Sequence, residues 1–430
     1  MQISVKAADN RPISDEILIE SLQKSIEGRK LSKVLLLPPD LTRLHSYAGK
    51  ITAAYYNMLK DTCQVDIMPA LGTHEPMTEE ECLGFFGPDV PYSAVISHNW
   101  RTDIEKIGTV PSEFVKEVSE GLIDYPIDVE VNRRLLDKSY DQIISVGQVV
   151  PHEVVGMANY TKNILVGCGG KTMIDRSHFL GAVYGMERMM GRDHSPVRKV
   201  FDYAEENLLK DIPLIYVLTV TTVDNMSGNV RLEGLFIGRE RRLFEEAVNL
   251  SQQKNLIFLE EPLKKVVVYL DEREFKSTWL GNKAVYRTRM AIADGGELII
   301  LAPGVRRFGE DETIDKLIGK YGYVGRMKVL EHYRTNEDLK ENLSAAAHLI
   351  HGSSDDRFSI TYATEKLSEE DIRGVNFKYM PLEEALKKYD PEKLKDGYNT
   401  LDDGEEIFYI GNPAIGLWAG RKLFEGEGNG

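Results

Sequence analysis

Short apolar segments rich in β-branched residues alternate with amphipathic stretches along almost the whole chain, and this alternation constrains the fold more than any single motif. A strand buried on both faces reads as an unbroken apolar run, and a parallel partner for it requires a helix-length crossover. Residues 34–37, 65–68, 94–97, 142–146, 163–166 and 215–220 fit such strands, with helical patterns between them. The expected fold class is therefore α/β: mostly parallel sheets flanked by helices. At 430 residues the chain exceeds what one core usually serves, so two domains are expected. An amphipathic helix over about 239–253 and the linker-like LEEPLKK place their boundary at 262. This gives an N-terminal domain over 1–262, a C-terminal α/β domain over 263–406 and a terminal segment, 407–430, packing back on the first domain.

Local signals agree with this plan. Thr78 followed by Glu81 forms a capping box that starts a helix, and Gly87-Pro88 stops it. In the second domain ELIILAP and FSITYAT read as strands, and LSAAAHLI and PLEEALKKY as helices.

With 53 Lys plus Arg against 68 Asp plus Glu, the net charge of −15 argues against nucleic acid or an anionic membrane surface as partner, since both need a basic face. Small anions in a local positive pocket stay open. Cys63, Cys82 and Cys168 form no paired spacing, which excludes a disulfide framework and a cysteine zinc site. The N-terminus has no basic head before an apolar stretch, and no run reaches the length of a membrane span, so a cytoplasmic location is expected.

In open α/β sheets ligands bind beyond the carboxyl ends of strands, and polar residues collect there in this chain. Asp40, Thr42 and Arg43 follow the first long apolar run, and Thr73 and His74 the next. His98 follows the third, and His152 and then Lys162 the fourth; CGGKTMIDRSH ends at His178. One histidine after a strand is more often structural than catalytic, but four of the nine histidines stand at these positions, which raises the functional reading for the group. The glycines of VGCGGK suit an anion cradle at a helix start or a tight turn equally well. Lys283, Arg287 and Arg289 lie in a segment, KAVYRTRMAIADGG, that reads as a helix ended by glycines, with these charges as its solvated face.

Taken together, PPDLTR, GTHEPMTEEE, the lone histidine after the third strand and PHEVVGMANYTKN with a downstream histidine resemble the nickel-dependent lactate racemase family, from about residue 34 to about 305. That family carries a nickel pincer nucleotide tethered to a lysine, with a histidine completing the nickel coordination, in a cleft between two domains. Lys162 stands ten residues after His152, and His178 sixteen after Lys162, as the family's pattern has them. The resemblance thus implies Lys162 as tether, His178 as nickel ligand, and His98 and His152 as the catalytic pair. It assigns Asp40, Thr42 and His74 to cofactor binding, and Arg43 and Lys283 to the substrate carboxylate. LGNK replaces the family's YQxxK before Lys283, and GMANYT replaces the glycine-rich run before the tether lysine.

The implied activity is that of an isomerase inverting C2 of a 2-hydroxy acid, either a small acid or an aldonate. Removing the Cα proton beside a carboxylate would build a second negative charge, whereas moving hydride avoids it. Two histidines suit two enantiomers, each taking the hydroxyl proton from its own side. Enzymes that build the cofactor are implied as partners. Two other readings stay open: a non-catalytic carboxylate or sugar-acid binding protein on the same scaffold, and an NAD-dependent dehydrogenase.

Overall fold

The computed structural model describes residues 2–8, 11–223 and 228–426. It forms two compact units: Met1–Ser177 with Met190–Asn255, and His178–Met189 with Leu256–Gly430. No helix among the described residues is long and apolar enough to cross a membrane.

The first unit contains β1 (Ile3–Lys6), β2 (Lys33–Leu37), β3 (Gln64–Ile67), β4 (Ile104–Val110), β5 (Ile127–Asn132), β6 (Gln142–Gln148), β7 (Pro151–His152), β8 (Gly156–Met157), β9 (Leu214–Val223) and β10 (Val230–Gly238). Its helices are α1 (Asp15–Ile26), α2 (Ala48–Leu59), α3 (Glu79–Phe86), α4 (Ser112–Val118), α5 (Lys171–Tyr184), α6 (Pro196–Asn207) and α7 (Arg241–Asn255); α5 from His178 onward counts with the second unit. Six strands form a sheet in the order β1-β10-β9-β6-β2-β3. The β9-β6-β2-β3 part is parallel, and β10 and β1 extend it antiparallel.

Strand composition explains this placement. Val34 and Leu36 of β2 and Ile144 and Val146 of β6 pack with Leu18, Leu22, Ile51 and Tyr55 of α1 and α2. Leu35, Leu37 and Ile143 point the other way and are equally buried, because a strand's side chains alternate between the two faces of a sheet covered on both. From β2 the chain moves outward to β3, and from β6 it moves in the opposite direction to β9. The carboxyl ends of the adjacent strands β2 and β6 are therefore a topological switch point, where such sheets open a crevice.

The second unit contains β11 (Leu256–Leu259), β12 (Leu263–Tyr269), β13 (Ile292–Leu301), β14 (Ser359–Thr364), β15 (Lys378–Pro381), β16 (Gly397–Thr400), β17 (Glu406–Ile410) and β18 (Leu417–Gly420). Its sheet runs β15-β14-β13-β12-β17-β16, parallel except for the β16–β17 pair.

Several expectations need correction. The break between units falls at Leu256 rather than after 262, because β11 pairs with β18 inside the second unit. For the same reason the segment from 407 belongs to the second unit: β17 lies between β12 and β16, and the last four residues are outside the described ones. Residues 94–97 make only an isolated bridge, Val95 to Ile67, after a 3-10 turn. Residues 163–166 form a π-helical turn, Asn163–Gly167, since a short apolar run cannot by itself distinguish strand from buried helix. The glycines after Lys283 do not end a helix. They form a bulge in β13, whose register to β12 slips between Leu263 and Lys265. Arg287 and Arg289 are buried, not a solvated face. The capping box at Thr78 and the Gly87 stop are as expected.

Candidate active site

Beyond β2, Pro38-Pro39 fix the approach to Asp40, which caps a 3-10 turn over Leu41–Ser46. The buried Asp40 carboxylate accepts the Thr42 N–H at 3.1 Å, the Thr42 hydroxyl at 2.5 Å and His74 Nδ1–H at 2.5 Å. Burial alone would raise its pKa. The His74 and Thr42 bonds and the His74 and Arg43 charges outweigh burial and hold the group below the usual carboxylate range. His74, from the loop after β3, is exposed and leans on Asp40. Arg43 is half-buried, and its guanidinium makes no hydrogen bond or ion pair among the described residues.

Beyond β6 the chain makes the small β7–β8 hairpin and then a loop in which Asn159 and Tyr160 are both left-handed, at φ 64° and 57°. Gly147 in β6 leaves room for that loop, because a Cβ there would stand 1.9 Å from Asn159 Nδ2. Lys162 follows, and Asn163 anchors it from behind: its Nδ2 donates to Leu37 O of β2 at 3.0 Å and to Ser145 Oγ of β6 at 2.9 Å. The π-helical turn that begins at Asn163 is a form that often marks functional segments. Lys162 thus stands at the switch point of the sheet. It is part-buried, and its ammonium has no hydrogen bond or ion pair among the described residues. Burial first, then the Arg43 charge, pulls it down to about 8; Arg198 adds to this, while Glu153 and Asp40 oppose it. The neutral fraction at pH 7, roughly a tenth, is far above that of an ordinary lysine and makes the amine a competent nucleophile.

The two expected catalytic histidines are differently placed. His98 is buried, its Nδ1 accepting from Asn132 Nδ2 at 2.9 Å and its Nε2–H donating to Gly169 O at 3.2 Å. Because Asn132 Oδ1 already accepts the Arg134 N–H, the amide faces His98 with its donor, which fixes the tautomer. Burial pushes this imidazole below its ordinary pKa, so it is neutral at neutral pH. His152 is buried as well, and its Nδ1 accepts the Val154 N–H at 3.1 Å, so the neutral ring carries its proton on Nε2. To take a hydroxyl proton through Nε2, His152 must exchange the Val154 contact and carry its ring proton on Nδ1.

The first unit therefore brings Asp40, Thr42, Arg43, His74 and Lys162 to adjoining loops, with Glu153 next to His152 among them. His178 and Lys283 belong to the second unit. His178 is half-buried on α5, and Lys283 lies 3.9 Å from Glu274 and over the Phe275 ring. A cavity of about 560 Å³ in the second unit, walled by Arg188, Arg289, Arg326 and Asp355 among others, contains none of the expected site residues.

The glycines of VGCGGK serve close packing. A Cβ at Gly169 would meet Leu165 O at 1.9 Å, and one at Gly170 would meet Ile104 and Glu130. Sequence reading missed Asn163, Glu153 and Arg198. Only Arg198 left a trace, as a cation beside the apolar stripe Val197, Val200, Phe201 and Ala204 of α6.

Among the described residues no three histidine, cysteine or acidic side chains gather as a metal site. A nickel ion held near one histidine would need its other donors from a bound group. An unpaired amine at the switch point, next to a turn rich in hydrogen bonds, fits the attachment of such a group through Lys162.

The fold is that of a two-unit α/β protein with mostly parallel sheets, and it matches that of a lactate racemase. The structure matches the lactate racemase apoprotein from Thermoanaerobacterium thermosaccharolyticum with a TM-score of 0.69 and 17% identity, over 95% of this chain and 93% of that one. A protein from Thermotoga maritima matches with a TM-score of 0.80 and 25% identity, over 96% and 99% of the two chains. Comparison with curated proteins finds no match. Residues 3–190 match the model of the lactate racemase N-terminal domain.

Proposed function

We propose that this protein inverts C2 of a 2-hydroxy acid with a nickel pincer nucleotide attached at Lys162. The observation that carries the reading is Lys162 itself: an amine drawn towards neutrality, unpaired, and held where β2 and β6 end. Asp40, Thr42 and His74 would hold the group from the neighbouring turn, and His178 would bind its nickel. When bound, the group would supply an electrophilic centre able to accept hydride.

The chain's own residues do the rest. Arg43 offers a planar guanidinium to the substrate carboxylate, and a bidentate grip fixes orientation as well as charge. The resemblance assigns Lys283 to the same carboxylate. His152 takes the hydroxyl proton once its ring proton sits on Nδ1, and His98 serves the other enantiomer through Nδ1 once that nitrogen gives up its bond from Asn132 Nδ2.

Expression beside the enzymes that build the group, followed by intact mass, nickel content and a panel of enantiopure 2-hydroxy acids and aldonates, tests this. The expected result is an adduct on Lys162 and inversion of at least one acid. An unmodified chain, or a loaded one that inverts none of the panel, overturns it. A binding protein without turnover is the second reading, favoured by His98, whose ring nitrogens are both engaged; it predicts carboxylate binding by unmodified protein.

A further inference from the structure

Arg198, on α6, is fully buried, with 0% of its surface exposed. Its side-chain hydrogen bonds all go to one loop. Nη1 donates to Thr161 Oγ1 at 2.6 Å, and Nη2 donates to Met157 O at 2.7 Å and Asn159 O at 3.3 Å. Its guanidinium lies 4.5 Å from the Phe244 ring centroid. No carboxylate stands within ion-pair distance among the described residues, and Nε has no partner. A buried cation of this kind costs several kcal/mol, about what a well-packed apolar residue would save. Such a cost calls for a function that packing alone does not provide.

The loop that it grips explains the cost. Asn159 and Tyr160 are consecutive left-handed residues without being glycine, a strained conformation that persists only where surrounding contacts impose it. Tyr160 is pinned further by its hydroxyl, which donates to Arg239 O at 3.0 Å, and by stacking on Phe244. Lys162 comes directly after this loop, and directly before the Asn163 anchor.

We propose that Arg198 is a positioning residue for Lys162: its guanidinium holds the 157–161 loop in its left-handed form and thereby fixes the amine at the carboxyl ends of β2 and β6. The electrostatics point the same way. The charged groups acting on Lys162 are Arg43 and Arg198, which disfavour its ammonium, and Glu153 and Asp40, which favour it; loss of Arg198 tips that balance and also lets water reach the amine. This inference builds on the role of Lys162 proposed above, but it is read on the cofactor-free chain, so either can fail without the other.

The test is competitive acetylation of full-length protein with acetic anhydride across a pH series. Peptide mass spectrometry follows Lys162, with the exposed Lys264 as internal reference. In Arg198→Met the pH midpoint for Lys162 is expected to rise by roughly half to one pH unit towards that of Lys264. Arg198→Lys, which keeps the charge and loses the fork, and Thr161→Val, which removes one bond, are expected to raise it by less. A folded Arg198→Met chain with the wild-type midpoint overturns the proposal. If Arg198→Met does not fold, wild-type midpoints in both Arg198→Lys and Thr161→Val overturn it equally.

Discussion

Lys162→Met should make the first unit more stable at neutral pH, although it removes the residue on which the proposed chemistry depends. In the folded chain the Lys162 ammonium is pulled down from 10.5 to about 8, mainly by burial. The unfolded chain therefore holds this proton up to about pH 10.5 and the folded chain only to about pH 8, so between these values the unfolded state binds more protons and stability climbs with pH. Below about pH 8 both states are protonated and the whole penalty is present. The drop corresponds to about 3 kcal/mol at pH 7 and about 1.5 kcal/mol at pH 9.5. The side chain keeps some access to water, which makes these upper figures. Methionine keeps the length of the side chain and carries no charge, so the variant should gain up to that amount at pH 7 and about half of it at pH 9.5. Urea denaturation at the two pH values, read by pulse proteolysis of the first unit, measures both. A variant less stable than wild type at pH 7, or a gain equal at both pH values, would refute the reasoning.

Gly147→Ala places a Cβ 1.9 Å from Asn159 Nδ2, and Asn159 cannot retreat easily, because its Oδ1 accepts the Tyr160 N–H at 2.6 Å; thermal unfolding should show a loss of about 1–3 kcal/mol, and an unchanged Tm would mean that the loop is looser than described. In the second unit Arg289 is buried between Glu187 at 2.6 Å and Asp355 at 3.1 Å, so Arg289→Met leaves carboxylates without their cation and should cost about 3–5 kcal/mol in urea denaturation, part of which Glu187→Gln in the same chain restores. An additive double variant would show that the two side chains do not depend on each other.

What could be read from the sequence follows from how each feature is encoded. The strands β2, β6 and β9 were legible because both their faces are buried, which leaves mostly apolar runs, and β3 because Val65 and Ile67 alternate inward. Sheet order left no such mark, yet it is the order that makes the ends of β2 and β6 a crevice. The turn carrying Asp40 and Arg43 was legible from its prolines and its place after a strand. The state of His98 was not, since it depends on Asn132 and Gly169, which approach only in the folded chain. Asn163–Gly167 misled because NILV is equally suitable for a strand or a buried helical turn. Arg289 misled because helical spacing gives no sign that Glu187, a hundred residues earlier, will meet it.

The departures from local rules are not scattered. In the first unit a left-handed pair, a glycine forced by a neighbouring side chain, a π-helical turn and an unpaired lysine fall between residues 147 and 167, and the buried unpaired arginine that touches this stretch lies on α6. Each costs stability: Arg198 turns its buried guanidinium to the left-handed loop rather than to a close carboxylate, and Lys162 satisfies no acceptor among the described residues. In the second unit the comparable oddities do compensate one another. Asp355, left-handed at φ 50°, accepts from Arg289 and from the Arg326 N–H, so strain and buried charge offset each other there. An unpaired, desolvated amine held at the carboxyl ends of two parallel strands is a cost that a ligand bound there would offset.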